Sequence, residues 1–417
     1  MAAERFTGLA AVLATIRSEP ALTQGELADR VGLGRSVVAE RVSELEEAGL
    51  LVTGGLAPST GGRAARRLQL NPDAGFVVGI DVTAYDLFVA AADLTGRILG
   101  SLHETIQVTD GPEAVLARVR SLTTELLENR DWPGDMLAVA AGMAGPVAFD
   151  TGTTVGVPML PGWEDHPVRA VLEQEWDVPV WVDSRVNLLA LAETRSNPAA
   201  KTAKNAIYFE FGVGCAASLI VDGQLYRGAH GLAGAIGHTA VAEASHVICR
   251  CGRVGCLEAI TSGWAIARDG RLLAESGRSP LLAGALAANG EVRPIDVTNA
   301  AEGGDTAALE LLERTSALLG SSMATVVAFF APQLLIIGGG IARAGDLALA
   351  PLRRALDARI LPAAAADLLV ELPVLDENSG GVTGAVHLAL GELFTRDQLP
   401  RLLATVAPRV ELSARSA

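Results

Sequence analysis

Three of the chain's four cysteines fall within eight positions, in Cys249-Arg-Cys251-Gly-Arg-Val-Gly-Cys256, and a histidine precedes them in Gly237-His238. Thiolates and one imidazole in such a set supply the four ligands of a tetrahedral zinc ion. Four protein ligands leave no open position, so the spacing predicts a structural Zn2+ held by His238, Cys249, Cys251 and Cys256. His230 and His246 compete for the histidine place, and three reduced cysteines without metal are the alternative reading. Cys215 stands apart and reads as a small buried apolar residue. Clustered cysteines of this kind suit metal binding in a reducing compartment better than a disulfide framework.

A second set of residues could do chemistry of a different sort. Residues 1–72 carry 8 Arg and 8 Asp or Glu, so their net charge is zero. The rest of the chain holds 25 basic and 40 acidic residues, which accounts for the whole formal charge of −15. An acidic body repels nucleic acid, so any DNA contact must come from arginines presented locally by the neutral head. The chain has 417 residues, enough for two or three domains. No run of 18 apolar residues indicates a membrane span, and the N-terminus does not resemble a signal peptide. The reading is a soluble cytoplasmic protein.

The head must position those arginines. Leu9, Val12, Leu13 and Ile16 share one face of a helix over 7–17. Thr23 with Glu26 forms the capping box of a second helix over 24–31. Gly32-Leu33-Gly34 is a tight turn, and Val38, Val42 and Leu45 fall in register on a third helix from Arg35 to about Ala48. A strand from Leu51, the segment Gly54 to Arg63, and Arg66 to Leu70 complete a hairpin with a basic tip. Helix, short turn, helix and basic hairpin make a winged helix-turn-helix. The helix from Arg35 enters the major groove, with Arg35 and Ser36 nearest the bases and Ala39, Glu40 and Ser43 on the same outward face. Arg63, Arg66 and Arg67 on the wing grip phosphate or minor groove. A small helical protein-interaction module with solvated arginines is the blander alternative.

After Pro72-Asp73-Ala74-Gly75 the pattern becomes alternating strands and helices. Strands are expected at Phe76–Asp81, Leu87–Asp93, Leu137–Ala141, Val178–Val182, Ala206–Phe211, Ala217–Val221 and Leu334–Ile337. Helices are expected at Glu113–Glu128, Val168–Trp176, Leu309–Phe329 and Val382–Phe394. This is an α/β chain of two lobes around a cleft.

Several motifs of this body resemble the ROK family (repressors, open reading frames and sugar kinases), in its transcriptional-regulator branch. They are Gly145-Pro146-Val147, Pro158 to Trp163, Asn187 to Glu193, Asp222-Gly223, Arg227 to Gly231, Gly237-His238, Cys249 to Glu258 and Gly338 to Gly340. The resemblance implies an actin-like (ribonuclease H-like) two-lobed sugar-kinase fold behind the winged head, and commonly a homodimer or homotetramer. The implied division is a head over 1–72, an N-terminal lobe over 73–184, a C-terminal lobe over 185–395 whose last helix returns to the first lobe, and a tail over 396–417 that is either disordered or an extra helix.

A sugar kinase needs Gly-rich phosphate turns, a carboxylate base and partners for the sugar hydroxyls. The first phosphate loop in active members resembles Asp-x-Gly-Gly-Thr; this chain reads Asp81-Val82-Thr83-Ala84-Tyr85, without the glycines that admit phosphate. The second resembles Gly-Thr-Gly-x-Gly; this chain reads Gly212-Val213-Gly214-Cys215-Ala216. At the place of the catalytic Asp stands Arg185, a permanent cation, unless the register slips and Asp183 is the base. Ser184, Met159 and Ala235 stand where the family places sugar contacts, while Asn187, His238 and Glu258 remain. Arg185 suggests an anionic effector such as a sugar phosphate, or else an internal salt bridge with Glu258 or Asp183. The reading is a DNA-binding regulator, a repressor of carbohydrate genes with a non-catalytic sensor; an active kinase with a DNA-binding head and a ligand-independent DNA-binding protein are the alternatives.

Overall fold

The first turn of α2 (Gln24–Val31) is fixed by a reciprocal cap. The Thr23 hydroxyl accepts the Glu26 N–H at 3.3 Å, and Glu26 Oε2 accepts the Thr23 N–H at 2.7 Å. The computed structural model describes residues 2–56, 65–128, 130–156, 160–340 and 342–414. Arg63 and Met159 lie outside the described residues. In the head, α1 (Ala2–Ser18) precedes β1 (Leu22–Thr23) and α2; α3 (Arg35–Glu47), β2 (Leu51–Leu56) and β3 (Arg66–Leu70) follow. Gly32 ends α2 at φ 71°, a left-handed conformation that glycine adopts without steric cost. The three strands pair in the order β1-β3-β2, so the hairpin leans on the entry to α2.

The first lobe contains β4 (Phe76–Val82), β5 (Asp86–Asp93), β6 (Ile98–Thr105), α4 (Pro112–Glu128), β7 (Met136–Met143), β8 (Val147–Ala148), β9 (Thr153–Thr154), α5 (Val168–Glu173) and β10 (Val180–Ser184). Its sheet has the order β10-β7-β4-β5-β6, with β4, β7 and β10 mutually parallel. Then come α6 (Arg185–Ser196), α7 (Pro198–Thr202), β11 (Ala206–Phe211), β12 (Cys215–Val221), β13 (Gln224–Tyr226), α8 (Glu258–Thr261), α9 (Gly263–Glu275), α10 (Pro280–Asn289), α11 (Pro294–Glu302) and α12 (Thr306–Phe330). β14 (Leu334–Gly338), α13 (Asp346–Asp357), α14 (Pro362–Asp367), β15 (Leu369–Glu371), α15 (Glu377–Leu393) and α16 (Leu399–Ala414) complete the chain. The second sheet runs β13-β12-β11-β14-β15, with β11, β14 and β15 parallel.

The long α12 starts earlier than its apolar periodicity, because Asp305 caps it by accepting the Ala308 N–H at 3.1 Å. α15 also begins at Glu377, five residues before Val382, and carries Gly380 and Gly381 inside it. It packs between α6 and the first sheet, where the Val382 carbonyl lies 2.8 Å from the point a Cβ on Gly79 would occupy. Among the described residues, no helix is long and apolar enough to cross a membrane.

Candidate functional site

Parallel strands of both sheets deliver polar residues to one place through their C-terminal ends, where open α/β sheets bind ligands. Asp81 closes β4, Arg185 opens α6 directly after β10, Glu210 lies near the end of β11 and Glu377 opens α15. The Arg185 guanidinium is consumed by these neighbours. Its Nε donates to Asp81 Oδ2 at 3.1 Å, one terminal nitrogen donates to Glu210, and the other donates to the Glu377 carbonyl at 2.9 Å. Asp81 is fully buried, and Arg185 is only 11 % exposed. Burial pushes the Arg185 guanidinium down, but Asp81, Glu210 and Glu377 outweigh it and leave it above the ordinary arginine range. Burial pushes the carboxyls of Asp81 and Glu210 up, against the pull of Arg185.

The salt bridge expected of Arg185 therefore exists, but with Asp81 and Glu210 and not with Glu258 or Asp183. The competing expectation, a guanidinium free to hold an anionic effector, is corrected by the same geometry: both of its edges face protein acceptors. Asp183 is fully buried and ion-paired to Arg227 Nε at 2.7 Å. Asn187 Nδ2 donates to Asp183 Oδ1 at 2.7 Å and the Ser184 N–H donates to the same oxygen at 2.8 Å. Ser184 and Asn187 thus brace Asp183. Glu258 Oε2 accepts the Cys215 N–H at 3.0 Å, while its buried Oε1 has no partner among the described residues.

Glycines shape the rest of this cleft. Gly339 has φ 94°, and a Cβ there would lie 2.3 Å from the Phe211 backbone, so the Gly338 to Gly340 turn is needed for close approach of β14 to β11. Gly212-Val213-Gly214 joins β11 to β12, and Val213 is exposed.

The cysteine cluster forms beside it. His238, Cys249, Cys251 and Cys256 bring one ligand atom each to within 4.8 Å of one another. Cys251 Sγ lies 3.6 Å from Cys256 Sγ, and Cys249 Sγ lies 3.9 Å from His238 Nδ1. Tetrahedral sulfurs about 2.3 Å from a zinc ion stand roughly 3.8 Å apart, so the spacing fits the group. The loop closes as a small hairpin: the Cys249 N–H donates to the Arg253 carbonyl at 2.8 Å, and Ile248 bridges Val254. Arg250 of the loop lies over the Trp264 ring of α9 at 4.8 Å and fastens the loop to that helix, while Arg268 of α9 itself lies over the same ring at 5.3 Å. His230 and His246 lie outside the cluster. Cys215 is buried, and burial pushes its thiol above the ordinary range.

In the head, α3 buries Val38, Val42 and Leu45 and turns Arg35, Ser36, Ala39, Glu40 and Ser43 outward, as its periodicity requires. Glu40 pairs with Arg41 at 3.0 Å, and Ser43 donates to Glu47 at 3.0 Å. The wing arginines differ in role. Arg66 is exposed but folded back on Thr53 and Glu46. Arg67 donates to the Ala21 carbonyl at 2.7 Å, and so fastens β3 to the turn before α2. Sequence reasoning did not link Glu210, Glu377 or Arg41 to any site; each acts through a partner remote in the chain or on its own helix.

Residues 77–392 match the ROK family, and residues 11–52 match a winged helix-turn-helix DNA-binding family. The chain belongs to the ROK family. It is 26 % identical over 385 residues to a xylose repressor from Caldicellulosiruptor bescii, covering 92 % of this chain and 95 % of that protein. It is 29 % identical over 308 residues to a glucokinase from Halalkalibacterium halodurans, covering 74 % of this chain and 93 % of that enzyme. Among solved structures, it superposes on a ROK family transcriptional regulator, a homologue of the E. coli MLC protein. The TM-score is 0.81 at 22 % identity, over 96 % of this chain and 100 % of that one. A ROK family glucokinase from Streptomyces griseus, in complex with glucose and AMPPNP, gives a TM-score of 0.66 at 26 % identity, over 76 % of this chain and 99 % of that one. The actin-like two-lobed sugar-kinase fold with a winged head is therefore the fold of this ROK protein. The kinase-like matches cover the body; the repressor-like matches cover head and body together.

Proposed function

We propose that this ROK protein is a DNA-binding transcriptional repressor of sugar-metabolism genes whose body senses a ligand and does not phosphorylate it. The second half rests on the reading of Arg185 as the residue at the family's base position, and on its being locked between Asp81 and Glu210. A guanidinium cannot accept a proton from a hydroxyl. Asp183 is no substitute, since Arg227, Asn187 and the Ser184 N–H already occupy its oxygens. The proposed effector is a sugar, held in the cleft with the spare Glu258 oxygen among its acceptors.

In this reading the α3 face with Arg35, Ser36, Ala39, Glu40 and Ser43 reads the major groove, and Arg66 exchanges Glu46 for a phosphate. Arg67 serves the fold of the hairpin. A homodimer or homotetramer would present paired heads to a two-fold-related operator. The reading implies a cytoplasmic protein. His238, Cys249, Cys251 and Cys256 would hold a structural Zn2+, which supplies no chemistry beyond cross-linking the loop that leads into Glu258.

Gel-shift titration of the promoter region next to the gene, with and without a panel of neutral sugars, tests the reading. The expected result is specific binding that one sugar weakens. Sugar-dependent release of ADP in a coupled assay, at a turnover above background, would overturn the non-catalytic body.

A further inference from the structure

The seam between the two lobes holds a groove of about 460 Å³, a size that small-molecule sites commonly have. Phe149, Asp150 and Thr151, just after β8, stand on its first-lobe side, and Tyr226, Arg227 and His230 stand on its second-lobe side. None of Ser184, Asn187, His238 and Glu258 lines it. Arg227 crosses the seam. Its guanidinium lies 3.8 Å over the Phe149 ring, and its Nε donates to Asp183 of β10 at 2.7 Å. Arg169 fixes the first-lobe wall by donating to the Phe149 carbonyl and, at 2.7 Å, to the Asp150 carbonyl.

The second-lobe wall is held in a costly backbone shape. His230 has φ 60° and ψ 22°, the left-handed region that residues other than glycine rarely enter. Gly231 follows at φ 70°, and a Cβ there would lie 1.9 Å from the Val147 carbonyl oxygen, so close contact between the lobes sets the shape of this loop. The histidine so placed is exposed, and its ring makes no hydrogen bond with any described residue. Backbone outliers of this kind cluster where ligands are held. The neighbouring polar groups are uncommitted too. Among the described residues, the terminal nitrogens of Arg227, the Asp150 carboxylate and the Tyr226 hydroxyl have no hydrogen-bond partner, and Tyr226 is 54 % exposed. The lining therefore carries both signs of charge. An anion would meet Asp150 and a cation would meet Arg227. A sugar hydroxyl both donates and accepts, and the C–H face of a pyranose suits an exposed aromatic ring with a polar tip.

We propose that this groove is a saccharide site apart from the cleft, which takes a neutral mono- or disaccharide across the seam. The sugar's hydroxyls would accept from Arg227 and His230 and donate to Asp150, with its apolar face on Tyr226. The two walls belong to different lobes, so the bound sugar would favour the lobe arrangement in which they face each other. The site rests neither on the repressor reading nor on occupation of the cleft.

Isothermal titration of the full chain with glucose, xylose, maltose and cellobiose tests this, beside a hexose phosphate and glucosamine as charged counterparts. Saturable binding of at least one neutral sugar is expected. It should weaken about tenfold or more in Tyr226→Ala, which loses the aromatic face, and in His230→Asn, which keeps the left-handed backbone but loses the ring. Both residues are exposed, so both variants should fold. Binding should persist in Glu258→Gln, which alters the cleft and not the groove. Tighter binding of maltose or cellobiose than of glucose would assign a disaccharide, and the reverse order a monosaccharide. The bound sugar should also raise the thermal midpoint of the parent but not of Tyr226→Ala, whose midpoint without sugar should match the parent's. Binding lost in Glu258→Gln but unchanged in Tyr226→Ala and His230→Asn would put the sugar in the cleft and overturn the groove, while leaving the repressor reading standing. No saturable binding by any neutral sugar, or tighter binding of the hexose phosphate or glucosamine than of glucose, would overturn it as well.

Discussion

Replacing Arg185 with alanine should destabilise the chain strongly, and by an amount that depends on pH in a defined direction. In the native cluster one guanidinium serves the fully buried Asp81 and the nearly buried Glu210. Removing it leaves two carboxylates with no cation between them. Breaking a buried pair from one side costs about 3–5 kcal/mol. Burial already pushes both carboxyls up, and Arg185 is the pull in the other direction. Without it their folded-state values must climb further above the unfolded ones. A raised carboxyl binds more protons folded than unfolded, so stability rises as pH falls. The variant should therefore recover relative to the parent between pH 7.5 and 5.5, by up to about 1.4 kcal/mol per pH unit for each carboxyl that protonates. Urea denaturation followed by tryptophan fluorescence at the two pH values reads this directly. A variant as stable as the parent, or a gap that does not narrow on acidification, would show that the three groups are not mutually dependent.

Other outcomes follow from the same contacts. Mass spectrometric metal analysis of the purified chain should find one zinc per protomer, and Cys251→Ser should lose it; metal-free parent protein would contradict the donor geometry. Gly381→Ala places a Cβ 1.9 Å from Asp81 Oδ2. It should lower the urea midpoint through a loss of about 1–3 kcal/mol, since neither the helix nor the locked carboxylate has room to yield. Thr23→Ala removes the cap of α2 and should cost about 1 kcal/mol, seen as earlier loss of helical circular dichroism. Arg35→Ala should weaken binding to the promoter fragment while leaving the thermal midpoint unchanged, because Arg35 is exposed on the outward face of α3.

What was legible in the chain was what its neighbours in sequence determine. Thr23 and Glu26 stand three residues apart, and the cap they form is the one observed. The cysteines and His238 lie within one loop, so their spacing alone predicts a cluster. Seven expected strands recur within about two residues of their ends, because each combines apolar content with a bounding turn. The partners of Arg185 were not legible. Asp81 and Glu210 lie 104 and 25 residues away, and only the juxtaposition of two sheets brings them together. Asp183 and Glu258 are nearer in motif but are claimed by Arg227 and by the Cys215 N–H. The start of α15 was hidden for a related reason. Gly380 and Gly381 disfavour a helix locally, yet they are what lets α15 lie against Leu189 and the Asp81 carboxylate.

The division at residue 72 is likewise a boundary in pattern more than in packing. Asn71 Nδ2 donates to the Gly49 carbonyl at 2.7 Å, and the Asn71 N–H donates to Leu50 at 2.9 Å, so the junction is a pinned turn and not a loose linker. One hydrophobic core continues from Leu9, Leu13 and Ile16 of α1 through Leu388 and Leu393 of α15 to Leu399 and Leu402 of α16. α15 therefore touches both ends of the molecule's work. At Glu377 its carbonyl accepts from Arg185, and at His387, about 15 Å further along a helix rising about 1.5 Å per residue, it accepts from Arg17 of the head. A ligand that favours one seat of α15 over another must, by that differential affinity, also bias the seat of α1. The chain needs no separate relay between cleft and head, because a single helix is a wall of one and a support of the other.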